Sequence, residues 1–207
     1  MSSTETTERA ALRRAERERK TGETNVRLAL ALEGAGAGTR ETGVGFLDHM
    51  LDLLARHGRM DLDVKVSGDL QTGAHHTAED TAIVLGQALD VALGERVGIA
   101  RYGSAVVPMD EARASCAIDI SGRPHTLFEA ALPAGATGGF EHELAEEFFR
   151  AFAAAAKLTL HIEIQLGTNA HHMIEAAFKA TAVALREAVA IDPRARGVPS
   201  TKGTLTA

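Results

Sequence analysis

Two stretches decide how this chain is read: His75-His76-Thr77-Ala78-Glu79 and His171-His172-Met173-Ile174-Glu175. Each carries the pattern His-His-x-x-Glu and opens an apolar run with helical spacing, one from Thr77 to about Leu93, the other from His171 to Val189. In the second run Ile174, Phe178, Thr181, Leu185 and Val189 form one stripe, as expected of a helix with one face in a core. Working back from each motif, the same elements come in the same order. Asp61 to Val66 alternates Leu62, Val64 and Val66 as a half-buried strand, and Leu158 to Gln165 also reads as a strand. Before them, Phe46 to His57 (stopped by Gly58) and Glu141 to Ala156 read as helices. The repetition predicts an α+β fold built from an internally duplicated βαβα-type unit: two fused half-domains, about 21–100 and 101–195, with sheets packed against helices in a two-layer sandwich. Further strands are expected at Asn25 to Leu32, Ala105 to Met109, Arg113 to Ile120 and Thr126 to Leu132, with a loop from Ala134 to Gly139. Residues 1–20 are polar and highly charged and read as a flexible tail; 21–207 form the domain, ending in a C-terminal tail.

The motif carries chemistry because imidazole and carboxylate together form a metal-ligand set. Residues three and four apart share a helix face, so each glutamate can lie beside a histidine of its own motif. Adjacent histidines diverge by roughly 100° around a helix, so one pair addresses two different centres. A single copy is weak grounds for a metal, since a surface histidine near a helix N-terminal acid is commonplace. Two copies in register are much stronger. His49, on the helix before the first motif, has Glu147 as its counterpart before the second, and both can ligate. The candidate ligands are therefore His49, His75, His76, Glu79, Glu147, His171, His172 and Glu175. Shared between two metals, they leave open positions on an ion that prefers six ligands, which points to catalysis rather than a closed structural site.

The whole chain narrows the partners. Its 207 residues carry a net charge of −6, which argues against nucleic acid, although a few local Arg and Lys residues can still hold a small anion. Cys116 stands alone, so no intrachain disulfide forms; it reads as a small buried hydrophobe and fits a reducing cytoplasm. No apolar run is long enough for a membrane span, and the polar N-terminus lacks a signal-peptide core. Of the remaining histidines, His142 and His161 read as core or surface residues.

Taken together, Phe46-Leu47-Asp48-His49-Met50, His75-His76-Thr77-Ala78-Glu79-Asp80, Ser121-Gly122-Arg123-Pro124, His171-His172-Met173-Ile174-Glu175-Ala176-Ala177-Phe178-Lys179 and Ser200-Thr201-Lys202-Gly203 resemble the imidazoleglycerol-phosphate dehydratase family. The resemblance runs from about Thr21 to Leu205. It implies a duplicated fold of ribosomal-protein-like units, two Mn²⁺ ions per active site, and trimers assembled into a homo-24-mer with metal sites where subunits meet. The implied reaction removes water from D-erythro-imidazoleglycerol 3-phosphate to give imidazole acetol phosphate, a step of histidine biosynthesis in the cytoplasm. Some members have His where this chain has Glu147; a carboxylate can still bind Mn²⁺.

That reaction is demanding because the hydrogen removed sits on a carbon without a neighbouring carbonyl. A metal on a ring nitrogen favours imidazolate, whose electrons expel the hydroxyl and acidify the neighbouring C–H. A proton shuttle is also required. The resemblance nominates Glu23 as general acid/base and substrate contact, with Glu79 and Glu175 sharing the proton work. It assigns the phosphate to Arg101, Arg123, Lys179, Ser200 and Lys202, each of which taken singly reads as a surface residue. A dinuclear metallohydrolase would use similar ligands without needing an imidazole. A metal-storage oligomer would need no cationic cluster.

Overall fold

The computed structural model describes residues 13–205. In strand β2 (Thr24–Ala31) Val26, Leu28 and Leu30 alternate with more exposed residues and are buried, so the strand has one core face. It forms a hairpin with β1 (Arg14–Lys20), in register from Arg14 opposite Ala31 to Lys20 opposite Asn25. Then come β3 (Arg40–Glu41), helix α1 (Gly45–Gly58), β4 (Asp61–Gly68) and helix α2 (His75–Leu93). The first sheet has the order β1-β2-β4-β3, with β3 parallel to β4. The second half repeats this plan: β5 (Tyr102–Met109), β6 (Ala112–Asp119), β7 (His125–Glu129), α3 (Leu144–Ala156), β10 (Thr159–Leu166) and α4 (Ala170–Val189). Its sheet order, β5-β6-β10-β7 with β7 parallel to β10, matches the first position by position.

The expected duplication is therefore present, with each βαβα-type unit extended by a leading antiparallel hairpin, β1–β2 in one half and β5–β6 in the other, so that one unexpected strand starts the described chain. That strand corrects the reading of the N-terminus. Arg14–Lys20 is β1, not tail, while the rest of the expected tail, up to residue 12, lies outside the described residues. Its charges are those of a sheet edge, where alternating Arg and Glu deter pairing with another chain, and Ala15 is its buried residue. Two smaller differences have simple causes. The helix α1 continues through Gly58 and ends on Arg59, whose left-handed conformation (φ 53°) lets its N–H cap Ala55 and Arg56. The expected loop from Ala134 contains a short ribbon, β8 (Ala136–Thr137) with β9 (Phe140–Glu141), held partly by buried His142, which bonds Pro133 and Thr137.

Helix α2 covers the first sheet and α4 the second; the halves join through their helices, α1 against α4 and α2 against α3. Within the second half, Phe148 and Phe149 of α3 meet Phe178 of α4, with Phe149 and Phe178 ring centroids 4.6 Å apart. The α2–α3 approach is close enough to require glycine. A Cβ on Gly86 would lie 2.6 Å from the Phe152 carbonyl oxygen and 2.8 Å from the Ala156 nitrogen. Alanine would gain about 1 kcal/mol of helix propensity, but overpacking against backbone that cannot swing aside costs about 1–3 kcal/mol. Gly86→Ala is accordingly expected to lower stability, read as an earlier urea midpoint at unchanged denaturant slope. An unchanged midpoint would show that the two helices can separate freely.

Candidate metal and substrate site

The cross-pairing of helices brings together residues far apart in the chain. His49 rises from the first turns of α1, and His171 and Glu175 lie one turn apart on α4. Glu175 Oε2 is 3.3 Å from His49 Nε2 and 3.1 Å from His171 Nε2. The three ligand atoms lie within 4.8 Å of one another, and this is the one such group of three among the described residues. Phe46 packs edge-on to the His171 ring, at 4.9 Å between centroids, and fixes its plane. Burial alone would raise the pKa of Glu175. Lys179, whose Nζ is 2.6 Å from Glu175 Oε1, and His49 outweigh that and hold the carboxyl below its ordinary range. The trio thus presents two imidazoles and an ionised carboxylate, hard-to-borderline donors suited to a divalent ion with open positions.

The other half provides the equivalent set. Counting back equally from the left-handed caps Arg59 and Lys157, His49 and Glu147 occupy the same place on α1 and α3. His75 Nε2 lies 3.7 Å from Glu79 Oε2, and Glu79 and Glu147 line one cleft between α2 and α3. The cleft is open and Glu147 does not close on the pair as tightly as His49 does on His171 and Glu175.

The second histidine of each motif faces elsewhere. The His75 and His76 rings are nearly perpendicular, at 87°, and those of His171 and His172 at 81°, so each motif does address two directions. His76 donates from Nδ1 to Asp69 Oδ2 at 3.0 Å, and its Nε2 lies 3.7 Å from Glu23 Oε1. His172 donates from Nδ1 to Glu111 Oε2 at 2.7 Å, with Asp110 3.8 Å from its Nε2. The hydrogen bond to Asp69 raises the pKa of His76, and that to Glu111 raises that of His172. Glu111 in turn falls to about 2, held by His172 and then by the N–H groups of Asn169 and Thr168.

The sequence profile of the imidazoleglycerol-phosphate dehydratase family matches residues 42–185. The chain belongs to this family. A dehydratase of that name from Symbiobacterium thermophilum is 58% identical over 187 residues, covering 90% of each chain. One from Bacillus subtilis is 52% identical over 194 residues, covering 94% of this chain and all of the relative. Among solved structures, the imidazoleglycerol-phosphate dehydratase of Staphylococcus aureus superposes with a TM-score of 0.79 at 38% identity, over 86% of this chain and 99% of that one. The Pyrococcus furiosus enzyme, solved in complex with (S)-C348, gives 0.79 at 34% identity, over 91% of this chain and all of that one. The protein is thus a member of an enzyme family of hydro-lyases.

Within the family fold, the contacts divide the expected phosphate residues into two groups. Lys179 joins the first trio, bonded to Glu175 and lying 3.3 Å from Met109 Sδ. The others gather around the C-terminal segment. Arg101, in a left-handed conformation (φ 74°), is clamped by Asp119 at 2.7 Å and donates to the Pro199 carbonyl at 2.9 Å, next to Ser200. Ser200 Oγ accepts from the Lys202 backbone N–H at 3.2 Å, forming a tight turn. Arg123 follows Gly122, where the Leu205 carbonyl comes so close that no side chain fits. Buried Arg96 also grips Leu205 O, while pairing with Asp90 at 2.5 Å. Sequence reasoning missed Arg96, Asp69 and Glu111. The latter two would have been found only by overlaying the halves and asking what sits beside each second histidine.

Because Arg101 ties down Pro199, Arg101→Ala should free the segment it holds. Trypsin is expected to cleave after Arg196 or Lys202 several-fold faster in the variant, followed by mass spectrometry. Equal rates would mean the other fastenings suffice.

Proposed function

We propose that this protein dehydrates D-erythro-imidazoleglycerol 3-phosphate to imidazole acetol phosphate in histidine biosynthesis, with two Mn²⁺ ions per active site. The observation that carries the reading is the convergence of His49 Nε2, His171 Nε2 and Glu175 Oε2 within 4.8 Å, in a chain of this family. One ion would be held by that trio and the other by His75, Glu79 and Glu147, with His76 and His172 supplying the remaining nitrogens. When bound, the ions would supply Lewis acidity to the substrate's imidazole and hydroxyl groups.

The protein's own groups then have distinct work. Glu23 stands in the hairpin turn between β1 and β2, more than half exposed, with its carboxylate beside His76. It can take the proton from the substrate carbon and return one to the enol as the ketone forms, so that one water is lost overall. Glu79 and Glu175 share that proton traffic from the ligand trios. Lys179 keeps Glu175 ionised and brings a positive charge towards the bound anion. Arg123 offers planar paired donors to the phosphate, and Arg101, whose Nε–Nη2 edge is on Asp119, adds positive charge and pins the segment that carries Ser200; Ser200 offers a hydroxyl and Lys202 a point charge. The four motif histidines are all partly exposed, which supports ligation across a boundary between copies of this chain and hence a homo-24-mer built from trimers. A cytoplasmic setting agrees with one buried, unpaired cysteine, Cys116. Among the described residues no helix is long and apolar enough to cross a membrane.

Purified protein supplied with Mn²⁺ should turn over imidazoleglycerol phosphate, and a chelator should abolish the activity. No product from metal-loaded protein would sink the dehydratase reading and bring the metallohydrolase and storage readings forward. In the same assay Lys202→Ala should raise KM about tenfold or more, the value of a charged hydrogen bond to phosphate, while bound metal stays constant. A loss of metal instead would place Lys202 in the metal site.

A further inference from the structure

The duplicated hairpin turns carry one glutamate each. Glu23 immediately precedes β2, and Glu111 immediately precedes β6, its counterpart in the second half. Each lies beside the second histidine of its own half's motif, yet the two are held differently. Glu23 stands 3.7 Å from His76 Nε2, more than half exposed, and His76 already has its Nδ1 bonded to Asp69. Glu111 takes the Nδ1 hydrogen of His172 itself, at 2.7 Å.

The cause lies in the residue just beyond the following strand. In the first half β4 ends at Gly68 and Asp69 follows; in the second, β10 ends at Leu166 and Gly167 follows. Gly167 has φ 147°, and a Cβ there would run into Met173 Cγ, so no carboxylate can occupy the place of Asp69. Glu111, from the β5–β6 turn, fills the role instead. It is anchored for it: Oε1 accepts the N–H groups of Thr168 at 3.1 Å and Asn169 at 2.8 Å, leaving Oε2 for His172. The turn glutamates of the two halves have thus taken different jobs.

Resting on the metal reading above, we propose that Glu111 is a positioning residue, fixing His172 so that Nε2 is presented to a metal, as Asp69 does for His76. The division also explains why a single turn glutamate, Glu23, remains free for proton transfer. An Nδ1–H held by a carboxylate sets the tautomer, aims the ring and increases the basicity of the opposite nitrogen.

The two functions of Glu111 reside on separate oxygens, so they can be separated. Glu111→Gln keeps an acceptor for Thr168 and Asn169 but turns the group facing His172 into a donor. Glu111→Ala removes both functions. The experiment titrates Mn²⁺ into metal-stripped protein by EPR, records the thermal midpoint of the stripped protein, and measures turnover against Mn²⁺ concentration. Wild type should bind two ions per chain. Glu111→Gln should keep the midpoint of wild type, bind one ion about 10–100-fold more weakly, and regain turnover in excess Mn²⁺. Asp69→Asn should weaken an ion to a similar degree. Glu23→Gln should bind both ions normally and fail in turnover. Wild-type affinity for both ions in Glu111→Gln, with only the Glu111→Ala midpoint lowered, would reduce Glu111 to a loop anchor and overturn the proposal. Absence of Mn²⁺ binding in wild type would overturn the metal reading as well, and the wild-type titration alone separates that result from the first.

Discussion

Everything at the site depends on how the two halves pack: α1 of one against α4 of the other, and α2 against α3. Each βαβα-type unit has a sheet covered on one side by its own long helix, and that helix still has an apolar stripe to bury. Pairing the helices crosswise buries both stripes, and within the second half Phe148 and Phe149 of α3 meet Phe178 of α4. The same packing makes each ligand trio a product of both halves. His49 meets His171 and Glu175, and Glu147 faces the cleft that Glu79 lines. Neither half alone contains either trio, so core and site stand or fall together.

Duplication supplies two similar sites and packing then lets them diverge. The first trio is compact and contains a lysine one turn below its glutamate; the second is open, and Ile83 stands on α2 where Lys179 stands on α4. Charge follows the difference. Lys179 offsets the cost of burying the Glu175 carboxylate, a cost that desolvation would otherwise settle by protonation. Glu79 is more exposed and needs no such partner. Cations also gather locally in this net negative chain, with Arg101 and Arg123 beside a C-terminal segment pinned through Pro199 and Leu205.

What the sequence made legible was whatever repeats with a period. The motif helices, the strands before them and the duplication all rest on apolar spacing, and the eight nominated ligands fall where that spacing places them. Strand β1 was not legible, because an edge strand with one buried alanine among alternating charges has no apolar period to find. The left-handed caps at Arg59 and Lys157 carry no glycine to announce them. Asp69 and Glu111 are single polar residues in turns, and only three-dimensional proximity to the histidines gives them meaning. Glu147 is legible as a counterpart of His49, but its distance from its partners is a property of packing.

Gly167 shows how one small residue can redirect its neighbours' chemistry. With Met173 packed where a side chain would go, the second half loses the carboxylate that Asp69 provides to the first. A histidine with an unheld ring could adopt either tautomer and several rotamers, and the entropy of fixing it would fall on ligand binding. Glu111 removes that cost by bridging the strand–helix loop and His172 at once. In the first half Asp69 already does this, and Glu23 is left exposed beside the second histidine with no backbone N–H to hold. The two halves, alike in plan, thus hold their turn carboxylates differently: Glu111 is tied to backbone N–H groups and to His172, while Glu23 stands exposed beside His76.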